Sequence, residues 1–324
     1  MNNNDMILVN KKSERLYNDI NYDNKKYLSK EIAKFVDVMI NNFSDKDLTN
    51  LYNNINSLDI IIDGGYENHQ NSYDPVNNII YLEKDNAKSA VYHELFHLSS
   101  SCYKDDTVFC GFAQWNDDLI IGIGLTEGYT QLLRERYFGD DDLKHAYSAE
   151  VNYAYLTELI VGKDKMSCLY LNANLKELTN ELCQYNSVED VINFINAIDY
   201  INAYKFKVSD SNKKEIFQNI IDSHRIARKF LLSTYTKKFA EEIKIKALEN
   251  DQDAITQMTI SFYDFVGEII DNNAAVNMET NEEIIILSTD VLNEIVSKRV
   301  QQEVYKEHII EYLLEEFYNI MYLL

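Results

Sequence analysis

The stretch Tyr92-His93-Glu94-Leu95-Phe96-His97 contains the pattern HExxH, and the apolar spacing over about residues 86–101 is that of a helix. Side chains four positions apart on a helix share one face, so His93 and His97 can reach a single metal ion. Glu94 lies beside them and can accept a proton from water at such a site. We therefore predict a metal-binding helix in this stretch.

The predicted helix has two distinct faces. Val91, Leu95 and Leu98 recur at the spacing of an apolar stripe that packs into a core. The two histidines and the glutamate lie on another face among small side chains, as expected for the floor of a cleft. Chance gives HExxH in a chain of this composition with a probability of roughly 1%. The alternative interpretation is a pair of histidines that bind no metal.

A catalytic zinc ion commonly has three protein ligands and one open position. The pattern HExxHxxGxxH would supply a third histidine, but this chain has Ser100 and Tyr103 at the glycine and histidine positions. The other common solution is a glutamate on a following helix. Glu127 lies 30 residues after His97 (127 minus 97) and is the third ligand that we predict.

A helix over about residues 125–138 is predicted to carry Glu127. Thr126 is a candidate cap at its start, with Gly122 in the loop before it. Gly128 leaves space for a neighbouring helix to approach closely, as a glutamate ligand requires. Three other carboxylates compete for the third ligand position. They are Asp117 and Asp118, in a loop-like stretch, and Glu135, two turns further along the helix.

Glycine and proline are unevenly distributed. The 324 residues include one proline and nine glycines, and six of the glycines lie between residues 64 and 128. Tight turns and close backbone approaches are expected there. A helical pattern at 28–43 and short β-rich runs at 58–63 and 78–83 precede the HExxH segment.

The C-terminal half has few helix breakers, because only Gly267 follows Gly162. Helices are predicted over 142–161, 187–204, 211–248, 252–270, 281–299 and 300–322. The expected fold class is α+β and predominantly helical, with a small sheet beside the HExxH helix and a helical C-terminal region. We place the domains at 1–162 and 163–324, with a second candidate boundary near 209–211.

The composition argues against two kinds of site. The formal net charge is −22, from 31 basic and 53 acidic residues, and such a chain is repelled by phosphate backbones. We therefore expect no nucleic-acid partner. The four cysteines include no CxxC pair, so a cysteine zinc site is not supported and reduced thiols are expected.

The sequence favours a cytoplasmic protein without a membrane segment. No run approaches the roughly 20 apolar residues that span a bilayer. The apolar part of the N-terminus, Met6 to Val9, is shorter than the core of a signal peptide. Leaderless export is the open alternative, and no pattern indicates the oligomeric state.

A strand at 78–83, an HExxH helix and then a helix bearing Thr126-Glu127-Gly128 together resemble the gluzincin metallopeptidases, the thermolysin-like branch of the zincins. The resemblance covers about residues 58–162. The spacing from HExxH to the glutamate is longer than in thermolysin itself. A second family, the intracellular regulator-cleaving peptidases, pairs HExxH with an EAN-like segment, which is absent here.

The resemblance implies a zincin-like catalytic domain and a zinc-dependent peptidase. Its Zn²⁺ would be held by His93, His97 and Glu127, and a metal-activated water would attack the peptide bond with Glu94 as general base. The substrate would be a peptide or protein. It also implies that strand 78–83 edges the cleft and pairs with the main chain of the substrate, the alternative being an ordinary edge strand.

Peptide hydrolysis passes through an oxyanion that a Tyr or His donor often stabilises. Tyr147 is the preferred donor and His145 the second, because both follow the Glu127 helix. Glu150 is a candidate hydrogen-bond acceptor for a ligand histidine, as are Asp117 and Asp118. No ligand role is predicted for the isolated histidines, which are His69, His224 and His308.

Two alternatives to the peptidase stay open. One is a non-catalytic regulatory or binding protein on a zincin scaffold. The other is a metal hydrolase that acts on a non-peptide amide.

Overall fold

The computed structural model describes residues 26–62, 71–116, 119–139, 147–204, 213–249 and 251–271. These ranges contain ten α-helices and seven strands. The helices are α1 (Ser29–Asn42), α2 (Thr49–Ile55), α3 (Ala87–Ser99), α4 (Ile123–Phe138), α5 (Ser148–Val161), α6 (Lys163–Leu171), α7 (Leu175–Leu182), α8 (Val188–Tyr204), α9 (Lys213–Leu248) and α10 (Gln252–Asp271). The strands are β1 (Asp59–Ile62), β2 (Ser72–Asp74), β3 (Ile79–Leu82), β4 (Ser101–Lys104), β5 (Thr107–Cys110), β6 (Ala113–Trp115) and β7 (Ile120–Ile121).

The fold is mixed α and β, predominantly helical, with two small sheets in the described ranges. The chain divides into two compact units whose segments alternate in sequence. The first consists of Met1–Lys144 and Asp164–Leu178, and the second of His145–Lys163 and Thr179–Leu324. Helix α5 thus belongs to the second unit, and most of α6 belongs to the first. The domain boundary that we predict at residue 162 remains a prediction.

The first sheet has three strands in the order β1-β3-β2. Strand β3 is the central one, with β1 parallel and β2 antiparallel to it. The prediction of an edge strand at 78–83 is therefore wrong. The polar segment Ser72-Tyr73-Asp74, directly before Pro75, has the composition of a turn but forms β2, which covers that side of β3.

The HExxH helix α3 is buried on nearly all sides. Its apolar residues Val91, Leu95 and Leu98 are fully buried, as the stripe predicts, and so is Phe96 on another face. The helix contacts α1, α2 and α4 together with β2 and β3. A helix surrounded in this way has little freedom to shift, so its two histidines occupy fixed positions.

Three consecutive serines end α3. The hydroxyls of Ser99 and Ser100 donate to the carbonyl of Phe96 at 2.8 and 3.0 Å, and that of Ser101 donates to the carbonyl of His97 at 2.6 Å. These bonds satisfy carbonyls that have no partner within the helix. The chain can therefore turn directly into β4 after the second histidine.

A second sheet lies between α3 and α4 in sequence, and no pattern in the sequence predicts it. It is an antiparallel meander in the order β4-β5-β6-β7. It leads the chain to Gly122, which has a φ of 84° and precedes α4. A Cβ atom at this position would overlap the carbonyl oxygen of Phe112, so only glycine fits.

Thr126 lies within α4 and does not cap it, so the predicted cap is wrong. The helix begins at Ile123, with Gly122 at the cap position and no side-chain cap bond. The hydroxyl of Thr126 accepts the backbone N–H of Phe112 at 2.9 Å and lies 2.9 Å from the carbonyl of Gly122. The Thr126 hydroxyl thereby joins α4 to the loop that crosses the start of this helix.

The second unit is helical in its described part. Helix α9 contacts α5, α8 and α10, and α5 also contacts α8. Its core includes stacked rings, with centroids 4.4 Å apart for Phe194 and Phe230. Helices α8, α9 and α10 lie within a few residues of the predicted ranges, whereas the helices predicted over 281–299 and 300–322 lie outside the described residues. Among the helices that are described, none is both long and apolar enough to cross a membrane.

Candidate metal centre

Three side chains from α3 and α4 converge in the first unit. The Nε2 atoms of His93 and His97 lie 3.1 Å apart. The Glu127 carboxylate lies 3.1 Å from Nε2 of His93 through Oε2, and 3.5 Å from Nε2 of His97 through Oε1. The two histidines are each 7% exposed. These three residues form a buried group that could hold a metal ion.

The separations fit a tetrahedral metal site. Ligand atoms about 2.0–2.1 Å from a zinc ion with tetrahedral angles lie about 3.3 Å from one another. The two Nε2 atoms lie 3.1 Å apart, and each has one of the two Glu127 oxygens near it, Oε2 at 3.1 Å from His93 and Oε1 at 3.5 Å from His97, which are separations close to that value. Two imidazole nitrogens and one carboxylate oxygen are also ligand types that zinc accepts.

The packing of α4 against α3 places Glu127 at the histidines. Glu127 and Gln131 are four residues apart, so both point from the same face of α4. Gly128, next to Glu127, is buried, as expected for a close approach of the two helices. The Glu127 side chain is 20% exposed and is the most accessible of the three proposed ligands.

Electrostatics make His97 and Glu127 an ion pair when no metal is bound. Burial opposes the charged form of each residue. For Glu127, the positive charge of His97 and the contacts with both imidazoles outweigh burial, and its pKa is lowered. For His97, the negative charge of Glu127 outweighs burial, and its pKa lies well above the usual value. A proton is therefore held where a metal ion would bind.

Glu94 is a buried carboxylate beside this group and is 4% exposed. Burial raises its pKa, and the charge on Glu127 adds to that effect, whereas the imidazoles of His93 and His97 oppose it. A carboxyl group with a raised pKa at a cleft is a candidate for proton transfer. This environment is compatible with the predicted role as general base.

Gln131 holds the imidazole of His93 from the far side. Its Oε1 lies 3.1 Å from Nδ1 of His93, and its Nε2 donates to Oε1 of Glu135 at 2.9 Å. Because the amide oxygen can only accept, Nδ1 of His93 carries the proton. In the neutral ring, Nε2 is then unprotonated and faces the other two ligands. The spacing of four residues from Glu127 was a signal that could have identified Gln131.

Cys110 lies next to Nδ1 of His97, as Gln131 lies next to Nδ1 of His93. Its Sγ lies 3.5 Å from Nδ1 of His97 and donates to the His97 carbonyl at 3.6 Å. The sulfur is thus free to accept a hydrogen bond from Nδ1, which again leaves Nε2 for the metal. Cys110 comes from β5, and no spacing in the sequence links it to the HExxH motif.

Tyr170 and Thr130 pack behind this cysteine. The ring of Tyr170 lies against Phe112 and Tyr129, and its hydroxyl is bonded to that of Thr130. Gly111 has a φ of 58°, and a Cβ atom there would lie 2.5 Å from the Tyr170 ring. The wall behind His97 is therefore closely packed.

The other predicted site residues differ in their outcomes. Glu135 accepts a hydrogen bond from Gln131 and is not a member of the proposed ligand group. Tyr147, with a φ of 61°, and Glu150, which is buried, belong to the second unit, and their predicted roles stay predictions. His224 is also in that unit, where its ring bonds to Tyr153. Three candidates lie outside the described residues, namely Asp117, Asp118 and His145, as do the isolated histidines His69 and His308.

No known family model matches this chain. No curated protein and no solved structure matches it either. The functional conclusion therefore rests on the residues of the site.

Proposed function

We propose that this protein is a zinc-dependent peptidase in which His93, His97 and Glu127 hold the metal and Glu94 is the general base. The observation that carries the proposal is the convergence of two imidazole Nε2 atoms and one carboxylate, with ligand atoms of the three residues within 4.8 Å of one another and Glu94 buried beside them. When bound, zinc supplies a Lewis acid that polarises a carbonyl group and acidifies water.

The chain's own residues have three tasks in this mechanism. His93 and His97 would bind the metal through Nε2, with the proton on His97 displaced, and Glu127 contributes a negative charge on the same side. Glu94 accepts a proton from the attacking water and delivers it to the leaving amine. Its raised pKa supports this exchange, since a stronger base takes the proton more readily.

We further propose that the first unit is a zincin-like catalytic domain and that β2 binds the substrate. Among the described strands of its sheet, β2 is an edge, it runs antiparallel to β3, and it contacts α3. An extended peptide that pairs with β2 would therefore lie near the proposed ligands.

The test combines metal analysis with a peptide-library digest of the full chain. Glu94→Gln is expected to retain one zinc ion per chain and to lose turnover by a factor of 10² or more, about the value of a general base. His97→Ala is expected to lose both the zinc ion and turnover. Glu189→Gln, the same substitution at an exposed residue of α8, is the matched control and should change neither.

The same experiment distinguishes the alternatives. A peptidase generates new N-termini in the library, whereas a hydrolase of non-peptide amides does not. Wild-type protein that binds zinc but cleaves nothing would support a non-catalytic binding protein. Wild-type protein that binds no divalent metal would refute the proposal.

A further inference from the structure

Three residues form a hydrogen-bonded chain behind the first histidine. Glu135 accepts from the Nε2 of Gln131 at 2.9 Å, and the Oε1 of the same amide faces Nδ1 of His93 at 3.1 Å. Gln131 is 1% exposed and its amide has no room to exchange these contacts for water. Glu127, Gln131 and Glu135 are spaced by four residues and so follow one face of α4.

A glutamine amide has two different ends, and its orientation determines the tautomer of the ring that it touches. If the NH₂ group faced His93, Nδ1 would have to accept, and the neutral ring would carry its proton on Nε2. That proton would block metal binding, which requires an unprotonated Nε2. An ionised carboxylate can only accept hydrogen bonds, so Glu135 attracts the NH₂ group and leaves the oxygen for His93.

We propose that Glu135 is a positioning residue that fixes the amide of Gln131 and thereby keeps His93 in the tautomer that can bind metal. The inference rests on the proposed metal site. The neutral amide also transmits this orientation without a further negative charge next to Glu127 and Glu94.

The central variant is Glu135→Gln, which is nearly isosteric but can present either an oxygen or an NH₂ group to Gln131. We expect its zinc affinity to fall by about 10-fold or more, the usual effect of losing an outer-shell partner. In the metal-free protein, long-range ¹H–¹⁵N spectra at a pH where the ring is neutral should show His93 with a population protonated on Nε2. The wild type should show protonation on Nδ1 only.

A second variant separates positioning from a purely structural role. In Gln131→Glu combined with Glu135→Gln, a carboxylate contacts Nδ1 of His93 directly and no relay is needed. We expect this double variant to recover zinc affinity and the Nδ1-protonated ring. Glu189→Gln is again the control and should match the wild type in both measurements.

Two results would overturn the inference. One is a Glu135→Gln variant with zinc affinity within twofold of the wild type and an unchanged tautomer. The other is a double variant as weak as Glu135→Gln alone, which would indicate a structural defect. If the wild type binds no zinc, the proposed function fails, while the spectra of the metal-free protein still decide whether Glu135 sets the tautomer.

Discussion

The Nε2 atoms of His93 and His97 lie 3.1 Å apart, and both rings have a potential hydrogen-bond acceptor at Nδ1. When both Nδ1 atoms donate, the two neutral rings direct lone pairs at each other and at the Glu127 carboxylate. Such an arrangement is repulsive unless a cation lies among the three groups. A proton supplies that charge in the metal-free protein, as the raised pKa of His97 indicates, and a divalent ion would replace it.

The first prediction concerns Gly122, which sets the start of the helix that carries Glu127. Alanine there would combine a left-handed backbone with an overlap on the Phe112 carbonyl, so we expect a loss of about 3 kcal/mol or more in the free energy of unfolding. Urea unfolding of the metal-free variant and the metal-free wild type measures this difference in the free energy of unfolding.

Gly139 offers a control in which the steric overlap is absent. Its φ of 82° is also positive, its ψ is 177°, and a Cβ atom there would have no neighbour within 4 Å. Gly139→Ala is expected to cost only backbone strain, about 1–3 kcal/mol. A loss in Gly122→Ala of only about 1–2 kcal/mol, the cost of a left-handed residue alone, would mean that the overlap with Phe112 has no energetic role.

The convergence of the two histidines, which are proposed as metal ligands, could be predicted from the sequence because the information is local. Two histidines four residues apart must share a helix face, and the stripe of Val91, Leu95 and Leu98 fixes which face is buried. The same rule, applied from Glu127, would have identified Gln131. The pairing of α3 with α4 was expected from the general need for a third ligand and from Gly128 beside Glu127, since no rule of spacing joins elements 30 residues apart.

The second sheet and the position of Cys110 could not be predicted, because neither has a local signal in the sequence. Strands β4 to β7 are only two to four residues long, too short for an alternating apolar pattern to stand out in the sequence. Cys110 reaches the back of His97 because it pairs with Ser101, the residue at which β4 begins. That register depends on tertiary packing around α3 and is not encoded in any short segment.

The second prediction tests the role of Cys110. Cys110→Val removes the group that can accept from Nδ1 of His97, so we expect zinc affinity to fall by about 10-fold. Cys110→Ser keeps an acceptor and should be the milder change. Competition with a chromophoric chelator measures both affinities, and equal affinities for the two variants would exclude a hydrogen-bonding role for the sulfur.

The third prediction is that zinc binding releases a proton. The pKa of His97 lies well above its usual value because the charge of Glu127, aided by Cys110, outweighs burial, so the metal-free protein favours the protonated ring. A metal ion at Nε2 displaces that proton, and we expect the release of about one proton per zinc. Calorimetry in buffers with different ionisation enthalpies counts it.

Glu127→Gln provides the control for proton release. It removes the charge that raises the pKa of His97 and leaves burial, which lowers it. In NMR titrations of the metal-free proteins, His97 should therefore lose its proton at a lower pH in the variant than in the wild type. An unchanged titration would show that Glu127 does not hold the proton.

The last prediction is a pH window for the stability that the ion pair gives to the metal-free protein. The folded-state pKa of Glu127 is lowered, so its contribution is present above its unfolded pKa of about 4.3 and is lost as the pH falls through the folded value. The folded-state pKa of His97 is raised, so its contribution is present below about pH 6.5 and is lost as the pH rises through the folded value. Both contributions are complete between about pH 4.3 and 6.5.

The difference in unfolding free energy between wild type and Glu127→Gln isolates this pair from the other carboxylates, because those titrate in both proteins. Urea unfolding in the presence of a chelator should give the largest difference inside the window and a smaller one on either side. The loss on the alkaline side distinguishes the pair from a carboxylate stabilised alone, which would stay stabilising at high pH. A difference that does not vary with pH would show that the two residues do not share a proton when the metal is absent.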